Sequence, residues 1–426
     1  MSVKSLEEIA AAVRAGELDP VDLVEQALRR AEETAELNAV VHLDVEGARR
    51  VARHLRSSKQ GALAGIPVLV KEIIEVEGLP YRCGSASMDG IATCDAEVVR
   101  RLREAGAVII GLSHSHEFAY GCTGTSNRVG PCRNPHDPSR LTGGSSAGAG
   151  AAVGGGVVPL AIGTDTAGSV RIPAALCGAV GYMPTRDTLS TDGVFPLAQS
   201  LDRVGVLTTS VADALYAVNA LSGGEPAPAR TTPPRLGVVV NAEHLDYSAE
   251  VGQVWSAALA RLEASGADLV DVELPDWATS NQTAIDLQGP EAAAVHAGRD
   301  TFAYQPDVQM RLREAADVPG WRYVKARQAV AGITATVGDL LNQVDAVLLP
   351  TVLTVAPPIA AVVDPAGAGA VRAQLLKNTR LANLTGHPAF TVPLPTTGLP
   401  VGLQILAVDN QAAAAAAAWI ESAVKA

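Results

Sequence analysis

An excess of positive charge is what this chain most plainly lacks. Its 33 lysines and arginines stand against 45 aspartates and glutamates, a formal net charge of −12, so nothing in the composition suits a nucleic-acid backbone. Bilayer-length apolar runs are missing too. The uncharged stretch 147–163 covers 17 positions and is rich in glycine, short of the ~20 apolar residues that cross a membrane. It reads as core. Five cysteines, Cys83, Cys94, Cys122, Cys132 and Cys177, have neither metal-ligand spacing nor the even count of a disulfide framework. Free thiols in a reducing, cytoplasmic compartment are the expectation, and the polar segment Met1–Glu8 opens no secretory apolar run. There is no internal repeat.

What is present is a large apolar content, 48% of 426 residues, enough for an extensive core. Two serine-bearing glycine segments follow one another, Thr142-Gly143-Gly144-Ser145-Ser146 and Gly163-Thr164-Asp165-Thr166-Ala167-Gly168-Ser169-Val170-Arg171. Upstream, the apolar run Gly65-Ile66-Pro67-Val68-Leu69-Val70 reads as a buried strand that ends at Lys71. A serine hydroxyl attacks carbonyls only when a base takes its proton and donors receive the oxyanion. A lysine can be that base if desolvation lowers its pKa far enough to leave it neutral. Gly168 would let the backbone N–H groups of Thr166, Ala167, Gly168 and Ser169 converge on one oxygen. Taken singly, each residue has a commoner role: Ser145 or Ser146 capping a helix, Lys71 as a surface strand end, Ser169 as a loop residue. Their joint order and spacing favour chemistry.

At these residues the sequence resembles the amidase signature family of serine hydrolases. Gly65-Ile66-Pro67 to Lys71-Glu72, Glu117-Phe118-Ala119-Tyr120-Gly121, Asn134-Pro135 with Arg140, both serine segments, Arg171-Ile172-Pro173-Ala174-Ala175, Cys177-Gly178, Pro184-Thr185, Asp345 to Pro350-Thr351 and Leu399-Pro400-Val401-Gly402-Leu403-Gln404 match its pattern in order. The resemblance implies a triad of Lys71, Ser145 and Ser169, a cis Gly144–Ser145 peptide bond, and hydrolysis of a small linear amide through a seryl acyl-enzyme without metal or organic cofactor. It also implies an α/β/α sandwich with a large, mixed, twisted sheet covered by helices on both faces. A single domain over 1–426 is expected, with the catalytic core at 62–213, a substrate-determining portion at 236–345 and closing motifs at 346–410. The sequence departs from the pattern at Glu72, where aspartate is usual, and at Ala147 and Ala167, where glycine is usual. Ala167 would add a methyl beside the oxyanion site and disfavour a positive φ there. Two alternatives stand beside the amidase reading: an amidotransferase subunit that releases ammonia from glutamine, and a catalytically impaired binding protein.

Substrate contacts are expected from Tyr120, Gly121, Cys122 and Gly144, with a second wall from Leu287, Tyr304, Met310 and Trp321. Arg311, Arg313 and Arg322 could pair with a substrate carboxylate, but solvated helix-face charges are the expectation. His114, His116 and His136 lack a further ligand at metal spacing, so they read as loop structure. Gly148 to Gly154 is no dinucleotide fingerprint, since no strand precedes it; its small residues suit close helix packing. The expected partners are a small-molecule amide and a second copy in a homodimer, with no nucleic acid and no membrane.

Periodicity supplies the α/β layering. Leu6 to Val13 and Val21 to Leu28 read as amphipathic helices broken by Gly16 and Pro20. Ala48–Leu55 and Ala96–Ala105 follow as helices, the latter with Asp95 as its cap and Gly106 as its stop before the strand Ala107–Ile110. Gly223–Pro234, with four prolines, reads as a linker or long loop. Beyond it, Leu236–Val240 is a predicted strand, Val251–Ala264 a helix, and Ala412 to Val424 a closing helix.

Overall fold

The apolar run before Lys71 forms a strand buried along its whole length, and its side chains divide between two cores. Val68 and Val70 join one apolar cluster and Leu69 another, the alternation that a strand covered on both faces requires. The structure is a computed structural model that describes residues 4–58, 60–224, 232–241 and 244–425. Thirteen strands occur among them in order: β1 (Val40–Leu43), β2 (Pro67–Lys71), β3 (Pro80–Tyr81), β4 (Gly90–Ile91), β5 (Val108–Ser113), β6 (Leu160–Asp165), β7 (Val180–Met183), β8 (Arg203–Thr208), β9 (Arg235–Val239), β10 (Asp268–Val272), β11 (Ala346–Pro350), β12 (Ala389–Pro393) and β13 (Gly402–Leu406). Eleven of them form one sheet in the order β1-β5-β2-β6-β8-β7-β12-β13-β11-β9-β10, while β3 and β4 pair separately.

The sheet is mixed. β2 runs parallel to both β5 and β6, whereas β6, β8, β7, β12, β13 and β11 pair antiparallel in succession. The portion after residue 234 extends the same sheet, through β9 and β10. Helices Trp277–His296, Pro306–Ala316 and Gly320–Leu341 occupy the connection between β10 and β11. They supply no strand. Residues 225–231 of the predicted linker lie outside the described residues.

Local signals explain most boundaries. Ser5 and Glu8 form a reciprocal capping box on the helix Leu6–Ala15, which Gly16 ends in a left-handed conformation. Pro20 opens the next helix under an Asp19 cap. One expected cap is absent: Asp95 does not cap the helix Glu97–Glu104, whose N-cap is Ala96. The Asp95 carboxylate instead accepts the Glu77 N–H at 2.8 Å and Arg103 Nε at 2.8 Å, a tertiary demand that outweighs the local one.

The helix Ala147–Gly154 shows why its composition is small. A Cβ on Gly148 would come within 2.1 Å of Ala39 O, and one on Gly154 within 2.1 Å of Cys177 O. Only glycine permits those backbones to touch.

Candidate active site

Parallel pairing assembles the centre. Val70 of β2 faces Ile162 of β6, so Lys71 and the pair Thr164-Asp165 emerge side by side at the carboxyl ends of neighbouring strands, where open α/β sheets hold their ligands. Lys71 is completely buried. Its Nζ donates to Ser145 Oγ at 2.7 Å and to Thr164 Oγ1 at 2.7 Å. Burial lowers the lysine pKa to about 7, against the opposing pull of Asp165, Asp202 and Glu72, so a large neutral fraction exists at physiological pH. The Gly144–Ser145 peptide is cis. Ser146 occupies the N-cap of the helix Ala147–Gly154 without making a side-chain cap bond. Its hydroxyl instead donates to Thr164 O at 3.0 Å and accepts the Thr164 N–H at 3.2 Å, tying the first serine segment to β6.

Asp165 organises the segment that bears Ser169. Its carboxylate accepts from Gly168 N at 2.7 Å, Val170 N at 3.1 Å, Arg171 Nε at 3.1 Å and Asn383 Nδ2 at 2.9 Å. These donors hold its pKa near 2 despite complete burial. Arg171 is equally buried and also donates to Gln404 Oε1 and Asn383 Oδ1, so the pair braces the loop. Of the four backbone N–H groups expected at the oxyanion site, that of Gly168 is committed to Asp165. Ala167 carries no positive φ; the left-handed conformation falls on Gly168, at φ 120°. A methyl at 167 therefore costs no backbone strain. Glu72, buried, accepts from Ser115 N, Gly84 N and Asn127 Nδ2, which gives it a loop-bracing place behind Lys71.

Ser169 is 6% exposed, and what it exposes faces a cavity of about 190 Å³. Among the described residues no hydrogen bond joins Ser169 Oγ to Ser145; such contacts commonly tighten only when substrate binds. Of the expected substrate contacts, Tyr120, Gly121 and Cys122 line the cavity. Gly144 does not. It packs behind Gly121 and Cys122, where an added Cβ would come within 3.0 Å of Gly124 N. The predicted second wall is displaced on every residue. Leu287 is buried in a separate cluster with Ala284 and Leu384, Tyr304 packs on Phe118, and Met310 and Trp321 are 39% and 60% exposed. Their helical neighbours Ile285, Gln288, Gly289 and Arg311 form the wall instead. Arg311, expected in solvent, lines the cavity and donates to Tyr120 O and Asp307. Arg313 bonds Gln309, and Arg322 pairs with Asp286 outside the cavity. The three histidines are hydrogen-bonded in loops: His114 to Gly130 O, His136 to Cys177 O, and His116 to Asp307.

The model of the family described as Amidase matches residues 22–413. The chain belongs to the amidase signature family. It is 35% identical to a 2-amino-5-chloromuconic acid deaminase of Comamonas testosteroni, over 94% of this chain and 92% of that protein. It is 33% identical to a subunit of the glutamyl-tRNA(Gln) amidotransferase of Streptomyces avermitilis, over 94% of this chain and 90% of that one. A crystal structure of an amidase superposes with a TM-score of 0.91 at 31% identity, covering 99% of this chain and 100% of the other. The α/β/α sandwich with a large mixed sheet is thus the fold that the chain shares with solved amidases.

Within this amidase signature site several residues escaped the sequence reading. Thr164 lay inside a recognised motif but carries a hydroxyl on Lys71 that spacing alone could not reveal. Thr379 donates to Ala167 O, and Asn383 bridges Asp165 and Arg171. Asp202 accepts from Thr166 Oγ1 at 2.6 Å, and burial raises its pKa to about 6. All but Thr164 are 36 or more positions from the loop residue that they bond, so no local signal marks them.

Proposed function

We propose that this chain hydrolyses the C–N bond of a small linear amide through an acyl-enzyme on Ser169. The carrying observation is the fully buried Lys71, with Ser145 Oγ at 2.7 Å, beside a serine that opens onto a cavity. Ser169 Oγ attacks the carbonyl carbon; its proton passes to Ser145 Oγ as the Ser145 proton passes to Lys71 Nζ. The oxyanion is received by the free N–H groups of the 166–169 loop. Collapse breaks the C–N bond, and the relay returns the proton to the leaving nitrogen. Water then adds to the acyl carbon by the same relay and releases the carboxylate.

The test is mass-spectrometric mapping of a fluorophosphonate adduct together with ammonia release by the purified chain. Labelling at Ser169, greatly slowed in Lys71→Ala and Ser145→Ala, is the expected result. Absence of both labelling and turnover would overturn the reading and favour a binding role. The likeness to an amidotransferase component supports a second reading, in which the same serine chemistry frees ammonia for partner subunits. Turnover by the isolated chain separates the two.

We place the protein in the cytoplasm, a reading supported by its five unpaired cysteines, four of them buried. Among the described residues no helix is long and apolar enough to cross a membrane. A homodimer is the proposed assembly, supported by exposed Phe302, Trp321 and Val324; light scattering at the monomer mass would refute it.

A further inference from the structure

The cavity onto which Ser169 opens is lined by three arginines, Arg311, Arg372 and Arg380, and, among the described residues, by a single acid, Glu314, which is solvent-exposed. Arg311 is neutralised by Asp307. Arg372 and Arg380 have no carboxylate partner among the described residues. Arg380 donates through Nη1 to the neutral Asn281 Oδ1, and its buried Nε has no partner at all. Burial, with a smaller push from Arg372, holds the Arg380 guanidinium down to about 10, so it keeps its charge at neutral pH.

Two guanidiniums without a counter-ion in a confined cavity are unfavourable unless something anionic joins them. The rest of the molecule is acidic, at −12, which makes a local cationic excess at the reacting serine a feature of the site. A carboxylate fits it: the planar fork of an arginine matches two carboxylate oxygens through charge-assisted bonds. The size is restrictive as well, since about 190 Å³ falls below the ~300–1,000 Å³ of sites for drug-sized ligands.

We propose that the substrate is the amide of a small acid anion, such as the monoamide of a short dicarboxylic acid, with Arg380 and Arg372 binding its free carboxylate while the amide carbonyl reaches Ser169. This specificity rests on the amide-hydrolysis reading of Ser169. The enzyme then receives an anionic amide and water and delivers a dicarboxylate dianion plus ammonium.

The test compares matched pairs on the full chain: malonamate, succinamate and glutaramate against the corresponding neutral diamides. The expected kcat/KM ratio favours the best anion by roughly 10- to 100-fold, mostly through KM, as charge-assisted hydrogen bonds of this kind allow. Arg380→Gln and Arg372→Gln should collapse that ratio, and Arg380→Lys should keep part of it. Calorimetric titration with succinate, glutarate and the diamides reads the same preference without turnover. Diamides bound and cleaved as well as the anions, or a ratio indifferent to both Gln variants, would overturn the inference and leave the amidase reading intact. Dicarboxylate binding that needs the arginines, with no ammonia release and no Ser169 adduct, would uphold the carboxylate site and sink the amidase reading.

Discussion

In the proposed mechanism Lys71 sets the pH behaviour. Only the neutral amine can take a proton, so a base with a pKa lowered to about 7 loses activity as pH falls through 7, with one proton governing the limb. We expect kcat/KM for ammonia release to drop about tenfold per unit below that point, and a flat profile there would exclude Lys71 as the base. Replacing Ser169 by alanine should reduce kcat by at least ~10⁴-fold, as removal of a nucleophile does elsewhere. At the same scale, Thr164 and Asp202 illustrate what a motif conceals. The family pattern includes Thr164 without saying that its hydroxyl holds the lysine, and it gives no hint that Asp202 receives Thr166.

The loop that bears Ser169, between β6 and the helix Arg171–Cys177, is braced as one element. Gly168 sits at φ 120°, and a Cβ there would lie 2.4 Å from Thr379 Oγ1. Gly168→Ala should therefore cost ~1–3 kcal/mol of stability and lower kcat more than it raises KM, measured by thermal unfolding and steady-state kinetics. Arg171→Met leaves the fully buried Asp165 charge without its cation. Breaking such a pair typically costs ~3–5 kcal/mol, and denaturant unfolding should register a loss of that order together with slower labelling of Ser169. A variant of wild-type stability would mean that Asn383 and the backbone donors suffice. The helices behind the cavity teach a different lesson. Leu287 is the apolar choice on its helix, yet Ile285 and Gln288 line the cavity, because each residue turns the helix by ~100° and the sequence does not state which side meets the site.

One apolar cluster runs from Leu6 to Val424 and includes residues from both the catalytic core and the later portion. We propose a single folding unit on that ground, and calorimetric and circular-dichroism transitions should coincide; two resolved transitions would divide the chain. Removing residues 410–426 would leave every candidate catalytic residue in place but strip Ile420 and Val424 from the core and Asn410 from Tyr182 and Thr185. Loss of soluble folded protein is the expected outcome. The β2 strand, the serine loops, the triad candidates and the amphipathic helices were legible in the sequence alone, because strand alternation, helical spacing, glycine turns and motif order act over a few neighbouring residues. The cavity wall, the bracing by Thr379 and Asn383, the withdrawal of the Gly168 N–H and the two unpaired arginines were decided only by tertiary structure. Those depend on which helix face packs inward and on contacts between segments some two hundred positions apart, where burial and charge act through space and leave no local pattern to read.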